Sequence, residues 1–190
     1  MVGEAPLAEV ASGLTPQSDG WFVVSARDAA WLVNDSFGAR CVFEADTPVV
    51  RESGLDVHQF PQLGITLAVV EPGKPSGLYH RETSQEDFLV LSGECTLLVE
   101  DEERPLRAWD FVHCPPGTAH AFVGSGDEPC VLLMVGARTS DKQTVYPESE
   151  LARSHDAGAA SETSSAREAY APFGHWRLGR PERWPNLPWP

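Results

Sequence analysis

The stretch "GLYHRETSQEDFLVLSGE", residues 77–94, decides how this chain is read. His80, Glu82, Glu86 and Asp87 place one imidazole and three carboxylates within eight residues. They lead into the apolar run "FLVL", which stops at Ser92-Gly93-Glu94. Residues i and i+2 of a strand project to one face, so His80 and Glu82 would stand side by side. Two readings follow from these residues. Either they converge on a metal ion, or they form the wet edge of a strand.

Outward from this stretch, short apolar runs alternate with turn signals. "GITLAVVEPG" (64–73) precedes it, and "ECTLLVEDEERPLRAWDFVHCPPGTAHAFVGSGDEPCVLLMVGA" (94–137) follows. Turns are expected at Ser92-Gly93-Glu94, Asp101-Glu102-Glu103-Arg104, Pro115-Pro116-Gly117 and Gly124-Ser125-Gly126-Asp127. A strand plus turn every ~8–12 residues marks an all-β sandwich or barrel. Phe88, Val90, Leu97, Val99, Phe111, Phe122, Leu132 and Met134 are expected to line it. Upstream, "WFVVSA" (21–26) and "ARCVFEA" (39–45) read as strands, and "ARDAAWLVND" (26–35) as a short helix. The acidic run Glu100 to Glu103 reads as a solvated hairpin loop.

Three regions result: a frayed N-terminus over 1–20, the ordered barrel with its N-terminal strands over 21–138, and an extension over 139–190. In the extension, "PESELAR" (147–153) reads as a helix with proline and acids in its first turn. The Pro- and Trp-rich end is expected to lie along a surface, its own or a partner's, with its indoles as anchors.

The chain has 190 residues, enough for one domain with appendages. Against 14 Lys+Arg stand 28 Asp+Glu, a formal net charge of −14, so nucleic acid and anionic membranes are poor partners. No apolar run reaches the ~18 residues a membrane span needs. The N-terminal residues do not read as a secretory signal. Cys41, Cys95, Cys114 and Cys130 lack CxxC spacing and read as reduced thiols of a cytoplasmic protein.

His120 follows "PPGTA", where a tight turn can return the chain towards His80. Two imidazoles and two carboxylates suit Mn²⁺, Fe²⁺, Co²⁺, Ni²⁺ or Zn²⁺. No GxSxG, P-loop or GxGxxG follows a strand. Cys114 has only the adjacent His113 as a base, and neighbouring strand residues face opposite ways.

At this point "GLYHRETSQEDFLVLSG" (77–93) and "WDFVHCPPGTAH" (109–120) resemble the two signature motifs of the cupin superfamily. Six residues separate Glu86 from Gly93, and Pro115, Gly117 and His120 keep the Pro-x-Gly-x-x-His step. The departures are Glu82 in place of the second histidine of H-x-H and Trp109 in place of the glycine that opens the second motif. Gly77 also lies closer to the histidine than in the family pattern.

The resemblance implies a double-stranded β-helix, or jelly roll, of the small single-domain type, with a metal at its mouth held by three His and one Glu. It carries His80, Glu86 and His120 over as ligands, and Glu82 as a substituted ligand, with Gln85 the alternative donor. Family members of this size are commonly homodimers that exchange N-terminal strands, which residues 21–45 could supply. The expected function is that of a metal-dependent oxidoreductase, isomerase or lyase on a small oxygen-rich substrate. Glu82 and His113 are the candidate catalytic groups. The alternative is a non-catalytic barrel that binds or senses a small ligand without metal.

Overall fold

The computed structural model describes residues 1–44, 50, 53–55, 60, 62–181 and 186–187. Its barrel is built from antiparallel hairpins closed by the turns that the sequence marks. Gly93, at φ 74°, turns the chain from β7 (Glu86–Ser92) into β8 (Glu94–Val99). A Cβ there would lie 2.5 Å from the Pro129 carbonyl oxygen, so glycine is required by both conformation and space.

The next hairpin turns two residues earlier than the expected Asp101–Arg104 turn. Glu100 and Asp101 both have positive φ (48° and 61°), the pattern of a two-residue type I′ loop, and Val99 pairs with Glu102. Glu102 and Glu103 therefore sit in β9 (Glu102–Arg107) instead of in the loop.

Three strands form the smaller sheet, in the order β11 (His120–Gly124), β8, β9. Facing it is a seven-stranded sheet. Its order is β10 (Phe111–Cys114), β7, β12 (Cys130–Ala137), β5 (Leu63–Val70), β4 (Gly38–Phe43), β3 (Trp31–Asn34), β14 (Arg177–Leu178). Side chains one residue apart along each strand divide between two clusters. Ala68, Val70, Phe88, Val90, Leu97, Phe122 and Leu132 fill the space between the sheets. Leu67, Val69, Leu91 and Val131 pack on the other side, against Trp31 and Cys41. Truncating a fully buried leucine such as Leu132 costs about 2–5 kcal/mol. Phe111 departs from the expected lining. Val112 and Cys114 take the inner face of β10, which leaves Phe111 65% exposed.

The N-terminal third differs from its sequence reading in three places. Residues 1–20, expected to be frayed, contain a hairpin of β1 (Leu7–Val10) and β2 (Gly13–Pro16). Residues 21–26 form no strand; Trp21 makes one bridge to Glu4, and Val23 stays exposed. High β-propensity without a ladder partner leaves that run irregular. The helix expected over 26–35 is one turn, in which Ala29 N–H donates to Ser25, followed by β3. Trp31, Leu32 and Val33 instead pair with β4, and this tertiary pairing outweighs local preference. Both β3 and β4 pair within their own chain.

The extension is docked onto the barrel. Helix α1 (Glu150–Ser154) begins at Ser149, whose Oγ accepts from Ala152 N–H at 3.1 Å and donates to Asp101 Oδ1 at 2.9 Å. Ser149 is the cap, so Pro147 and Glu148 precede the helix instead of opening it. The chain then runs through α2 (Ala166–Ala169) to Trp176, which is buried and packs on Phe37 beside the half-buried Tyr170 and Phe173. Of the tail tryptophans, Trp184 and Trp189 lie outside the described residues.

Candidate metal centre

His80 directly precedes the short strand β6 (Arg81–Glu82), which pairs with β13 (Thr144–Val145), and His120 opens β11. The Pro115-Pro116-Gly117 turn brings them together. Gly117 N–H donates to the Glu82 carbonyl at 2.7 Å. Three residues later, His120 N–H donates to the His80 carbonyl at 2.8 Å, and His80 N–H returns a bond of 3.1 Å. Glu86 opens β7 beside them.

The rings are oriented by backbone. His80 Nδ1 lies 2.8 Å from the Leu78 carbonyl oxygen and His120 Nδ1 lies 3.1 Å from that of Thr118. A carbonyl can only accept, so each Nδ1 carries the proton and each Nε2 keeps a free lone pair. Both Nε2 atoms face Glu86 Oε2, at 3.9 Å from His80 and 3.6 Å from His120. Ring nitrogens fixed through their opposite edge are how protein imidazoles are held for metals.

Burial is the first influence on the charges here. It lowers the pKa of both histidines, opposed at His80 by the charge of Glu82 and reinforced at His120 by His80. Burial, and then the charge of Glu82, push the Glu86 carboxyl up to about 7, against the pull of His120. Two neutral imidazoles and a carboxyl short of positive charge fit a divalent cation.

The structure sorts the expected site residues. His80, Glu86 and His120 form one group, with ligand atoms within 4.8 Å of one another. Glu82 stands next to this group. Its Oε1 is 3.9 Å from His80 Nε2 and accepts from Thr144 Oγ1 at 3.3 Å, while Oε2 pairs with Lys142 Nζ at 2.7 Å. Gln85 points away and bonds Asp87 Oδ2 at 2.6 Å. His113 lies on the outer face of β10, half-exposed, with Nδ1 2.6 Å from Asp87 Oδ1. It does not line the cavity, because its strand neighbours Val112 and Cys114 take the inner face.

The three groups open into a cavity of about 1360 Å³. Phe88, Phe122 and Met134 form part of its apolar wall, and Arg40, Arg138, Lys142, Tyr146 and Tyr170 bring polar atoms to it. Residues of the extension between Ser164 and Trp176, Tyr170, Phe173 and Trp176 among them, also line it. The sequence reading missed these polar residues. Lys142 and Tyr146 sit in the extension without a motif, and Arg40 looks like an ordinary strand-face arginine.

Comparison with known proteins agrees with the motifs and the sheets. Residues 66–136 match the family model described as a Cupin domain. Over that span the chain is similar to cupin domains, and its antiparallel sheets form a double-stranded β-helix. An uncharacterized protein of Methanocaldococcus jannaschii is 24% identical over 89 residues, 46% of this chain and 71% of the relative. Among solved structures, a sugar phosphate isomerase from a cupin superfamily of Silicibacter pomeroyi is 33% identical, with a TM-score of 0.43, covering 47% of this chain and 59% of that one. A Cupin 2 conserved barrel domain protein of Salinispora arenicola is 31% identical, with a TM-score of 0.37, covering 39% and 61%. This chain thus spans about three fifths of the length of those two structures. At such TM-scores the likeness carries nothing about substrate.

Proposed function

We propose that this chain is a metal-dependent cupin enzyme acting on a small oxygen-rich substrate, by isomerase, dioxygenase or decarboxylase chemistry. The observation that carries this reading is the convergence of two backbone-oriented Nε2 lone pairs on the Glu86 carboxylate at the wall of a large, partly polar cavity. The alternative of a metal-free ligand-binding barrel calls for an apolar pocket with Glu82 turned outward. Here Glu82 is 8% exposed and lines the cavity, which favours the enzyme reading.

His80, His120 and Glu86 would hold the ion, an N₂O donor set suited to Mn, Fe, Ni or Zn. When bound, such an ion supplies Lewis-acid chemistry to the oxygens of a substrate. The chain's own groups do the rest. Phe88, Phe122 and Met134 keep water from one side. Glu82, paired with Lys142 and beside His80, is placed to accept and return a proton. Tyr146, whose hydroxyl burial pushes well up, stays protonated and can donate to a bound oxygen. His113, outside the cavity, is assigned no catalytic part.

The same reading places the protein in the cytoplasm as a homodimer. The exposed Phe111, on the edge strand β10, supports a covered sheet edge; sedimentation of the purified chain tests this. Activity is tested by NMR screening of metal-loaded protein against hydroxy acids, keto acids and polyols. The reading expects turnover of at least one compound, lost in Glu82→Gln with metal retained. Turnover by none, or equal turnover in the His80→Ala/His120→Ala protein, overturns it.

A further inference from the structure

Four cations line the cavity: Arg40, Arg138, Lys142 and Arg167. Two are already paired with acids on the same wall, Arg138 with Glu44 and Lys142 with Glu82. Arg167 is exposed. Arg40 is different. The alternation of β4 sends Ala39 and Cys41 to one cluster and leaves Arg40 on the cavity side. Among the described residues it meets no carboxylate. One Nη donates to the Ser76 carbonyl, and the guanidinium lies 5.0 Å over the Trp176 ring. Its Nε is buried with no hydrogen-bond partner among the described residues.

A half-buried guanidinium with free donors is a costly thing to keep, in a chain with acids to spare. The space beside it is held open by a glycine. A Cβ on Gly77 would lie 3.1 Å from Arg40 Nη2 and 3.2 Å from the Tyr170 hydroxyl. Gly77 stands only three residues before His80, so both features belong to one cavity.

We propose that Arg40 binds an anionic group of the ligand, a carboxylate or a phosphate, at the wall it forms with Gly77, Tyr170 and Trp176. The inference rests on the cavity being the substrate site proposed above, and it assigns that substrate a net negative charge. A guanidinium suits this task because its planar donors meet two oxygens of one oxyanion at once. The aromatic faces of Trp176 and Tyr170 hold the group in place and exclude water from it. The ligand is thereby oriented with its anionic end on the extension side and its oxygen-bearing end towards His80 and His120.

The test is calorimetric or NMR titration with glycerol, glycerate and glycerol 3-phosphate, on chelator-treated and on Ni²⁺-loaded protein. At least one anion should bind about tenfold or more tightly than glycerol, as charge-assisted hydrogen bonds allow. That ratio should fall to about one in Arg40→Gln and survive in part in Arg40→Lys. Gly77→Ala, which adds only a methyl where the backbone tolerates it, should weaken the anion with no change of charge. Tight glycerate alone assigns a carboxylate, and tight glycerol 3-phosphate alone a phosphate. Equal binding of all three probes, or a ratio unchanged in both Arg40→Gln and Gly77→Ala, overturns the inference. Metal content is measured on the same samples. An Arg40-dependent preference in protein that takes up no metal would sustain this inference while removing the metal reading.

Discussion

His80 and His120 are joined backbone to backbone: each N–H donates to the other's carbonyl, and their ring centroids stand 4.9 Å apart. The spacing between the two imidazoles is therefore set by main-chain bonds and not by side-chain packing alone. That bridge turns two motifs 40 residues apart in sequence into one site.

Gly93→Ala tests the turn on which the barrel depends. The added Cβ meets Pro129 O at 2.5 Å and the Cys130 Cα at 2.9 Å, at a φ of 74°. Overpacking of ~1–3 kcal/mol adds to ~1–2 kcal/mol of left-handed strain. Chemical denaturation should show the loss, and a midpoint equal to wild type would contradict it.

Trp109→Gly should act in the opposite direction. Trp109 has φ 75° and is 76% exposed, so its side chain loses little while its backbone is strained. Relief of ~1–2 kcal/mol, less the ~0.5–1 kcal/mol entropic cost of a glycine, leaves a net gain of up to ~1.5 kcal/mol. Thermal melting should move upward; a lower melting point would show that the indole is held by contacts that outweigh the strain.

Much of this was legible in the sequence, and the reason is locality. Glu86 to Gly93 and Pro115 to His120 are single strands and turns, so their spacing alone fixes their geometry. His80, Glu86 and His120 are brought together by those two local segments. Glu82 stands as close to His80 Nε2 as Glu86 does, and it also meets Lys142 and Thr144, partners 60 and 62 residues away that no motif announces. Residues 21–35 misled for a related reason. Their propensities are local, whereas their structure depends on which strand accepts them. Arg40, Tyr170 and Trp176 meet only through tertiary packing, and no motif announces them.

Removing the extension tests its role as a wall. Trp176 is buried against Phe37 and under Arg40, and β14 completes the large sheet. Trp176→Ala should cost about 3–5 kcal/mol, and deletion of residues 172–190 at least as much. A truncated chain that melts with the wild type would remove the extension from the fold.

Metal uptake should strengthen as pH rises. Glu86, pushed up to about 7, must shed a proton to bind, while the lowered histidines are already neutral there. Affinity should climb roughly tenfold per pH unit up to about 7 and then level off. In metal-free protein the sign for Glu86 is reversed. Its raised carboxyl adds stability below about 4.5, and that contribution fades as pH rises through about 7. The histidines oppose it, since their lowered pKa removes stability as pH falls below 6.5. The rise in melting temperature on adding Ni²⁺ should therefore grow from pH ~5 to ~7; a shift that is constant or shrinks over that range would refute the assignment.

The most direct measurement is elemental analysis of untagged protein incubated in turn with Mn²⁺, Fe²⁺, Ni²⁺ and Zn²⁺, beside Glu86→Gln and His80→Ala/His120→Ala. The wild type should take up about one ion per chain, with uptake sharply reduced in Glu86→Gln and lost in the double variant. No ion in the wild type with any of the four metals, or equal uptake by the double variant, would contradict it.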